Sequence, residues 1–494
     1  MAVGLRETRW TGEDGRQCVA YDDDTIGASV PSMLLARARA TPDATILRKK
    51  DRGIWKEQNW SQLAAHARRV GMGLKALGFA PGDVAALLAD TSPEWVYADL
   101  GILGAGGISA GLDPSSEPAA AARLLTDCGA RIVFVEGDEQ LDKALDAKAH
   151  CPALLRIVIF DMTGLRDLDD PLCEGLDVFL ARGDVYDQAH PGDWEAGVAG
   201  ISGTDIAALV YTSNARGVML SHRNVLYHAV NGTKLAGQRV ADERLAFLPM
   251  SYPAERIVGL YYALYSGTVS NYVEGPGTVG ENLREAQPTV MTATPAFWER
   301  LHSRIMTEVQ EATWLQRQAY GWAIGIGLRA ADARLAGRSS GGLLYALASR
   351  FVLGSLRREI GLDRVRFAYV VSARLAPDLV RWYLALGVTM LEVYGQAECG
   401  GVATVMPAGD IRLGTAGVCV PYGEMRLSSQ GEILLRGDQV SSSYWNAPNR
   451  SVVRDGWLHT GDTGEIKDGY LSVTGRMPVL QATTIGKQSI ASTL

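Results

Sequence analysis

Cysteine is scarce in this chain and never paired. The six cysteines among 494 residues are scattered, with no C-x-x-C spacing and no cysteine–histidine cluster. This pattern argues against a disulfide scaffold and a structural zinc site, and it favours the reducing cytoplasm. Long apolar runs are also missing, because the longest, Leu100 to Leu112, is broken by five glycines and is too short to span a bilayer. The polar N-terminus lacks the apolar core of a signal peptide.

Positive charge is not in excess either. The chain carries 48 Lys and Arg against 55 Asp and Glu, a net charge of −7, and has no basic run interleaved with aromatic residues. Nucleic acid is therefore not an expected partner. The 494 residues, of which 47% are hydrophobic and 21% charged, instead predict a folded protein with more than one lobe.

Helical patterns alternate with short apolar strands over the first 400 residues, and after about Gly401 short strands are separated by glycines. Alternation of this kind predicts an α/β fold with largely parallel sheets, and one of the predicted strands is Val84 to Leu88. We expect two doubly wound α/β subdomains, at 1–200 and 201–400, and a small β-barrel lobe at 401–475. The glycine-rich stretch 104–109 follows a helix, so we interpret it as helix-to-strand packing and not as a dinucleotide fingerprint.

The region from Trp314 to Ile360 has a long amphipathic pattern that predicts helices. Its apolar side chains include Trp322 and the run Leu343 to Leu356. We interpret these side chains mainly as core. A lipid-binding surface or a neighbouring bulky hydrophobic ligand is the alternative.

The stretch Leu209 to Tyr227 places a tight turn between a predicted strand, 209–212, and a predicted helix capped by Ser221. A small-residue turn before a helix start is a usual anion site, because free backbone N–H groups converge there. This turn has one glycine and no lysine, so we predict a phosphate site of reduced capacity. Its residues are Thr212, Ser213, Asn214, Ala215, Arg216 and Gly217.

Four stretches carry the chemistry when they are taken together. They are YTSNARGVMLSHRN (211–224), YGQAE (394–398), WLHTGD (457–462) and GYLSVTGR (469–476). In this order and spacing the chain resembles the adenylate-forming superfamily of acyl-CoA synthetases, most closely its long-chain fatty acyl-CoA branch. The resemblance runs from about Ser29 to the chain end, and LPMSYPAER (248–256) and ENLREAQPT (281–289) support it.

That resemblance implies a two-step reaction: a carboxylate attacks ATP to give acyl-AMP, and the CoA thiolate then displaces AMP. It also implies that Asp462 accepts the ribose hydroxyls, that Tyr394 lies against the adenine and that Arg476 places a cation near the ribose. Glu398 would be the magnesium ligand. The implied acyl-adenylate site comprises Tyr252, Ser372, Ala373, Arg374, Tyr394, Gly395, Gln396, Ala397, Asp462 and Arg476, with Glu398 and Arg216 as catalytic residues.

The departures from the family pattern concern phosphate binding. The turn is about four residues shorter than the family's loop and lacks its additional glycines, threonines and lysine. Ala397 replaces a threonine whose hydroxyl could bind phosphate, and Tyr252 replaces a common histidine. Each lost charge-assisted contact is worth about 1.5–3 kcal/mol, and ATP needs more of them than acyl-AMP. The losses are therefore selective for ATP.

We predict a non-adenylating acyl-CoA ligase, which accepts an acyl-adenylate made by a separate adenylating ligase and catalyses only thioesterification. CoA and acyl-AMP are its expected substrates, ATP and Mg²⁺ are doubtful, and no metal site is assigned. The shortened turn also resembles the ligases of platensimycin and platencin biosynthesis, which implies a bulky polycyclic terpenoid acid.

Two alternatives are open. One is a complete ATP-dependent synthetase, in which Arg216 and the turn backbone hold the triphosphate. The other is a catalytically silent acid- or adenylate-binding protein, which is supported by residues 476–494, where the family's mobile C-terminal domain begins and is mostly missing. No general base for the thiol is assigned, since we interpret His222 as a helix-start residue and His459 as a strand-end residue.

Overall fold

The computed structural model describes residues 4–212, 214–338, 342–447 and 453–477. Ser213 of the turn and residues 478–494 of the expected C-terminal segment lie outside this part of the chain. The strands are β1 (Leu5–Thr11), β2 (Gln17–Asp23), β3 (Thr45–Asp51), β4 (Ile54–Asn59), β5 (Val84–Leu88), β6 (Ile108–Leu112), β7 (Ile132–Val135), β8 (Arg156–Ile159), β9 (Cys173–Gly175), β10 (Ile206–Tyr211), β11 (Gly217–Ser221), β12 (Glu243–Ala246), β13 (Val269–Tyr272), β14 (Val290–Ala293), β15 (Phe367–Val370), β16 (Met390–Tyr394), β17 (Thr404–Val405), β18 (Val418–Cys419), β19 (Glu424–Leu427), β20 (Glu432–Arg436), β21 (Val453–Arg454), β22 (Trp457–Lys467) and β23 (Tyr470–Arg476).

The α-helices are α1 (Val30–Ala40), α2 (Trp60–Ala76), α3 (Pro93–Gly104), α4 (Pro118–Cys128), α5 (Asp138–Ala147), α6 (Leu176–Ala189), α7 (Asp193–Gly200), α8 (His222–Ala236), α9 (Tyr262–Ser266), α10 (Val279–Ala286), α11 (Pro295–Glu311), α12 (Trp314–Leu335), α13 (Leu343–Ala348), α14 (Gly354–Glu359) and α15 (Pro377–Leu386). Two π-helical segments, Ala254–Tyr261 and Ser349–Leu353, and three 3₁₀ turns, Lys148–His150, Pro276–Thr278 and Ala397–Cys399, complete the described elements. None of the described helices is long and apolar enough to cross a membrane.

Two largely parallel sheets carry the first 400 residues, and the α/β prediction is confirmed. The first sheet has the strand order β11-β10-β6-β5-β7-β8-β9, with only the β10–β11 pair antiparallel. All residues of β5 and β6 are buried, as expected for strands covered on both faces. Gly104, at the end of α3, accommodates the ring of Trp194, so the glycine-rich stretch after this helix serves packing.

The second sheet contains strands from both sides of residue 200. Its parallel part has the order β3-β13-β12-β14-β15-β16, and β4 adds an antiparallel edge. Since β10 and β11 belong to the first sheet and β3 and β4 to the second, the expected boundary between residues 200 and 201 does not separate the sheets. From β16 the hydrogen bonding continues through antiparallel strands β17, β18, β23, β22, β20 and β19. Closure of these strands into a barrel stays a prediction.

A buried polar network joins α3 to the π-helical segment 254–261. The carboxylate of Asp99 accepts hydrogen bonds from Arg256, from the Ser109 hydroxyl at 2.6 Å and from the Tyr261 hydroxyl at 2.7 Å. The Asp99 and Arg256 side chains are at most 1% exposed. A charged pair at this depth is tolerated only because its hydrogen-bonding groups are satisfied.

An N-terminal hairpin, β1–β2, packs on the C-terminal antiparallel strands. The guanidinium of Arg16, in its turn, donates to the carbonyl oxygens of Cys419 at 2.9 Å and Val420 at 3.2 Å, and to that of Gly423. Trp10 Nε1 donates to Glu424 at 3.1 Å. The hairpin in the first 23 residues is therefore hydrogen-bonded to a segment that lies about 400 positions later in the chain.

Candidate active site

Residues 212–217 form the turn of a β-hairpin. β10 and β11 pair antiparallel, with Tyr211 opposite Gly217, so β11 lies between the turn and α8. The prediction that the helix directly follows the turn is wrong. Val218 and Leu220 are buried while Met219 is half-buried, which is the alternation of a strand.

The turn satisfies part of its own hydrogen-bonding capacity. The amide of Ala215 donates to the carbonyl of Thr212 at 2.8 Å, and the amide of Arg216 donates to the Thr212 hydroxyl at 3.3 Å. Ala215 has a φ of +53°, a left-handed conformation that is unfavourable for a residue with a Cβ. Asn214 and Arg216 are exposed. The amide of Thr212 also donates to the carbonyl of Arg216 at 3.0 Å, so three of the turn's N–H groups are bonded within the turn in this conformation.

The start of α8 faces protein. The amides of His222 and Arg223 donate to the carbonyls of Asp205 at 3.0 Å and Gly203 at 2.7 Å. The Ser221 hydroxyl accepts from the amide of Asn224 at 3.1 Å, so Ser221 is the N-cap that the sequence predicts. At an exposed helix start such N–H groups are free to bind an anion, but here they are bonded to protein groups. The expected convergence of turn and helix start into one anion site is therefore wrong.

Asp462 gathers three of the residues that the sequence assigns to nucleotide binding. It is buried on β22, and its Oδ2 accepts from the Tyr394 hydroxyl at 2.9 Å and from Gln396 Nε2 at 2.5 Å. Its Oδ1 accepts from Arg476 Nε at 2.9 Å, because Asp462 and Arg476 are opposite each other in the β22–β23 pair. Burial, with a smaller contribution from Asp462, raises the pKa of Tyr394. Tyr394 is therefore a protonated donor at neutral pH.

Glu398 and Arg216 meet through Tyr444, which the sequence analysis missed. The Tyr444 hydroxyl donates to Glu398 Oε1 at 2.8 Å, and the Arg216 guanidinium lies 5.5 Å from the centre of the Tyr444 ring. Burial, followed by the charge of Glu398, raises the pKa of Tyr444 to about 12. The structure thus brings the two predicted catalytic residues to one side chain, with Glu398 at the Tyr444 hydroxyl and Arg216 at its ring.

Trp445 and Asn446, which follow Tyr444, form hydrogen bonds to the β10–β11 hairpin and to α4. The amide of Trp445 donates to the carbonyl of Gly217 at 2.7 Å, and its ring Nε1 donates to the carbonyl of Asp127 at 3.1 Å. Asn446 donates to the same carbonyl at 2.7 Å. The only signal in the sequence is the Tyr-Trp-Asn run after three serines, and its spacing from Gly217 gives no indication of the contact.

Other predicted site residues lie outside these two clusters. Tyr252 is 40% exposed, with its hydroxyl 3.5 Å from Asp113 Oδ2. Ser372, Ala373 and Arg374 are exposed; Ser372 has a φ of +74°, and Arg374 donates to the carbonyl of Val473 on β23 at 2.7 Å. Arg374 therefore contacts the strand that carries Arg476.

Gly395 and Ala397 flank Gln396 and are half-buried. A Cβ on Gly395 would come within 2.4 Å of the Gly401 backbone, so this position requires glycine for close packing. Ala397 begins the 3₁₀ turn that carries Glu398 and packs against the main hydrophobic core. The segment from Tyr394 to Glu398 thus places the Tyr394 ring at the end of β16 and the Glu398 carboxylate in the 3₁₀ turn that follows.

A family model described as AMP-binding enzyme matches residues 34–445, which include the hairpin turn, Tyr394 to Glu398 and Tyr444. The chain belongs to this family. As an AMP-binding enzyme it is similar to curated relatives along nearly its whole length. It is 25% identical over 503 residues to the long-chain-fatty-acid–CoA ligase ACSBG2 of Xenopus laevis, an alignment that covers 97% of this chain and 67% of that ligase.

The human long-chain-fatty-acid–CoA ligase ACSBG1 is 27% identical over 511 residues, covering 97% of this AMP-binding enzyme and 69% of the relative. Across eight curated relatives, the chain spans 55 to 69% of their length.

Solved structures share the fold. The inhibitor-bound N-terminal domain of FACL13 from Mycobacterium tuberculosis superposes with a TM-score of 0.67 at 20% identity, covering 91% of this chain and all of that domain. The anthranilate CoA ligase AuaEII in complex with anthranoyl-AMP gives a TM-score of 0.68 at 21% identity, with 91% and 78% covered. At these identities the likeness concerns the fold alone.

The histidines near the site of this AMP-binding enzyme are structural. His222 is buried, and its Nδ1 accepts from the amide of Val30 at 3.3 Å. Burial lowers its pKa to about 4. His459 Nδ1 lies 2.8 Å from Glu432 Oε2 on the neighbouring strand β20. Neither histidine contacts the Asp462 or Glu398 cluster through a hydrogen bond in the described part of the chain.

Glu398 is a single carboxylate, and no group of three or more metal-ligating side chains occurs within the described ranges. Mg²⁺ is commonly held by one or two carboxylates together with substrate phosphates. Glu398 therefore fits a magnesium role only in combination with phosphate oxygens.

Proposed function

We propose that this AMP-binding enzyme is an acyl-CoA ligase that accepts a preformed acyl-adenylate and catalyses thioesterification with CoA, releasing AMP. The hairpin turn supports this proposal most strongly. Two of its amides are bonded to Thr212, and no lysine lies between Thr212 and Gly217. ATP presents three phosphates to such a turn and acyl-AMP only one, so the shortage of donors weakens ATP binding more.

The Asp462 cluster is the proposed nucleoside site. Its carboxylate would accept the two ribose hydroxyls, the Tyr394 ring would lie against the adenine, and Arg476 would add a cation. Ring stacking is worth about 0.5–1.5 kcal/mol, and a hydrogen bond to a charged group about 1.5–3 kcal/mol. The exposed Arg216 guanidinium is the proposed partner of the adenylate phosphate, and Glu398 fixes Tyr444 beside it.

The reaction needs few groups from the protein. The CoA sulfur forms a bond to the acyl carbonyl carbon, the bond from that carbon to the phosphate oxygen breaks, and AMP leaves with the electron pair while the thiol proton passes to solvent. Holding the thiol and the acyl carbon together lowers the barrier, because the encounter becomes effectively intramolecular. Arg216 would neutralise the charge that AMP carries as it departs.

The acyl group is proposed to be hydrophobic. A void of about 10 Å³ lies behind β16 and β17 and is lined by apolar side chains and by the rings of Tyr262, Tyr369 and Tyr422. The names of the relatives point to long-chain fatty acids. A polycyclic terpenoid acid stays a prediction, and either acyl group would require these rings to move.

Synthetic acyl-AMP tests the half-reaction directly. Purified protein is incubated with dodecanoyl-AMP and CoA, and separately with ATP, dodecanoic acid and CoA, and the acyl-CoA is quantified. We expect acyl-CoA from the mixture of dodecanoyl-AMP and CoA and not from the mixture of ATP, dodecanoic acid and CoA. Equal product from ATP and free acid would contradict the proposal, and so would no product from either.

A complete ATP-dependent synthetase is the second candidate. The similarity to long-chain-fatty-acid–CoA ligases favours it, and so does the exposed Arg216, which could approach a triphosphate. Exchange of labelled pyrophosphate into ATP in the presence of acid would identify this activity. The proposed half-reaction instead requires a separate adenylating ligase, so adding one should restore product from ATP and acid. Binding of acyl-AMP without turnover would indicate a silent binding protein.

A further inference from the structure

The helical hairpin formed by α12, α13 and the π-helical segment 349–353 exposes large apolar side chains. Seven of them are 40 to 78% exposed, and nine others are spread over the rest of the described chain. The seven, which we call the apolar patch, are Trp314, Leu315, Trp322, Leu343, Leu344, Leu347 and Phe351. An apolar concentration of this kind marks an interaction surface. The expectation that Trp322 and the run from Leu343 belong to the core is therefore wrong for these side chains.

The opposite face of α12 is firmly packed. Gly327 lets the helix approach α15, where a Cβ would come within 2.5 Å of the Ala385 carbonyl. Ala323, Ile326 and Ala331 are buried on the same face as Gly327. Because one face of α12 is anchored in this way, exposure of Trp314 and Trp322 on the other face follows from the fold.

The charge of the same segment is unusual for this protein. Residues 314–359 contain seven arginines and only two acidic residues, Asp332 and Glu359, a net charge of +5 in a chain of net charge −7. Arg317, Arg329, Arg338 and Arg350 are exposed, and no carboxylate of the described residues lies within ion-pair distance of them. The Arg350 guanidinium lies 5.9 Å from the centre of the Phe351 ring.

We propose that this helical hairpin docks on the surface of an anionic lipid bilayer. Tryptophan, leucine and phenylalanine insert into the boundary between headgroups and acyl chains, and arginines bind anionic headgroups. Two copies of the chain would bring like charges together, which disfavours self-association through this patch. The proposal does not depend on which half-reaction the enzyme catalyses.

Vesicle flotation tests the proposal. The purified chain is mixed with phosphatidylcholine vesicles, with or without phosphatidylglycerol, at low and high salt. Binding to the anionic vesicles and release by salt are expected. Trp322→Ser/Leu344→Ser/Phe351→Ser should lower partition by at least about tenfold. Arg329→Gln and Arg350→Gln should each lower it by about fivefold on anionic vesicles.

Val178→Ser/Val185→Ser on α6 is the matched control, because both valines are exposed and lie outside the patch. It should bind as the unsubstituted chain does, and circular dichroism should show that all variants are folded. The proposal is overturned if the unsubstituted chain does not float with anionic vesicles, if it binds neutral vesicles equally, or if the triple variant binds unchanged. A concentration-dependent dimer that the triple variant abolishes, without vesicle binding, would also overturn it.

Discussion

At the scale of single residues, Tyr444 links the shortened turn to Glu398. Its hydroxyl holds the Glu398 carboxylate at 2.8 Å while Arg216 lies over its ring. With a pKa raised to about 12 by burial and by Glu398, the phenol stays protonated across the neutral range. It can therefore donate to Glu398 throughout the neutral range.

Tyr444→Phe removes that donor and keeps the ring. We expect kcat for thioesterification of acyl-AMP to fall about tenfold, because a hydrogen bond to a charged group is worth about 1.5–3 kcal/mol. The melting temperature and the KM for acyl-AMP should change little. Steady-state kinetics with synthetic acyl-AMP measure the effect, with Tyr186→Phe on α6 as the control. A higher KM for acyl-AMP with an unchanged kcat would contradict the positioning role of Tyr444.

His222 and His228 give stability a pH dependence. Both are buried, and burial lowers the pKa of each to about 4, against about 6.5 in an unfolded chain. Between these values the unfolded state binds more protons, so stability falls as pH falls from about 6.5 to 4. Above about pH 6.5 the histidines contribute no slope.

His228→Gln should remove one of the two contributions. His228 Nε2 lies 2.8 Å from the carbonyl of Cys399, and a glutamine amide can still donate there. The slope of unfolding free energy against pH in this window should fall by about 1.4 kcal/mol per pH unit. Urea unfolding at a series of pH values measures it, and the exposed His150→Gln is the control. An unchanged slope for His228→Gln would refute the assignment.

At the scale of elements, the turn of the hairpin β10–β11 is the feature that we predict to weaken ATP binding. A glycine-, threonine- and lysine-rich insert after Ser213, combined with Ala397→Thr, should restore donors for a triphosphate. We expect ATP–pyrophosphate exchange to rise above that of the unsubstituted chain. The insert without Ala397→Thr should recover less, and a serine- and alanine-rich insert of equal length is the control. Without any gain from the combined variant, the turn is not what limits adenylation.

Local patterns were enough for elements whose residues are buried or capped by near neighbours. The prediction of β5 at Val84–Leu88 is confirmed to the residue, and Ser221 caps α8 as expected. The strand β12, at Glu243–Ala246, is an element that no such local pattern marks. Its charged residues are paired by distant side chains, Glu243 with Arg48 and Arg244 with Glu255, and no local pattern reveals such partners.

The candidate site was predictable where two adjacent strands carry the partners. Asp462 and Arg476 are opposite each other in adjacent strands, so two sequence motifs meet by register. Tyr444 and the segment that fastens the turn come from a loop far along the chain. Their contacts depend on how the C-terminal strands pack on the first sheet, which spacing alone does not determine.

At the scale of the whole molecule, the N-terminal hairpin ties the first residues to the last strands. Arg16→Ala removes the donor to three carbonyls of the segment 419–423. We expect the C-terminal strands to lose about 1–3 kcal/mol of local stability, visible as faster hydrogen exchange in β19 and β20. Arg9→Ala is the control, since Arg9 pairs with Glu7 of the same strand. Equal exchange in both variants would show that the contact is dispensable.

This tie also sets an order of events during synthesis. Arg16 and Cys419 are 403 positions apart, and a ribosome adding about 5–20 residues per second needs about 20–80 s to cover that distance. Throughout this time the hydrogen-bond acceptors of Trp10 and Arg16 in the segment 419–424 have not been synthesised. Docking of the hairpin therefore cannot precede synthesis of residues 419–424, and a nascent chain stalled before this segment carries an undocked hairpin.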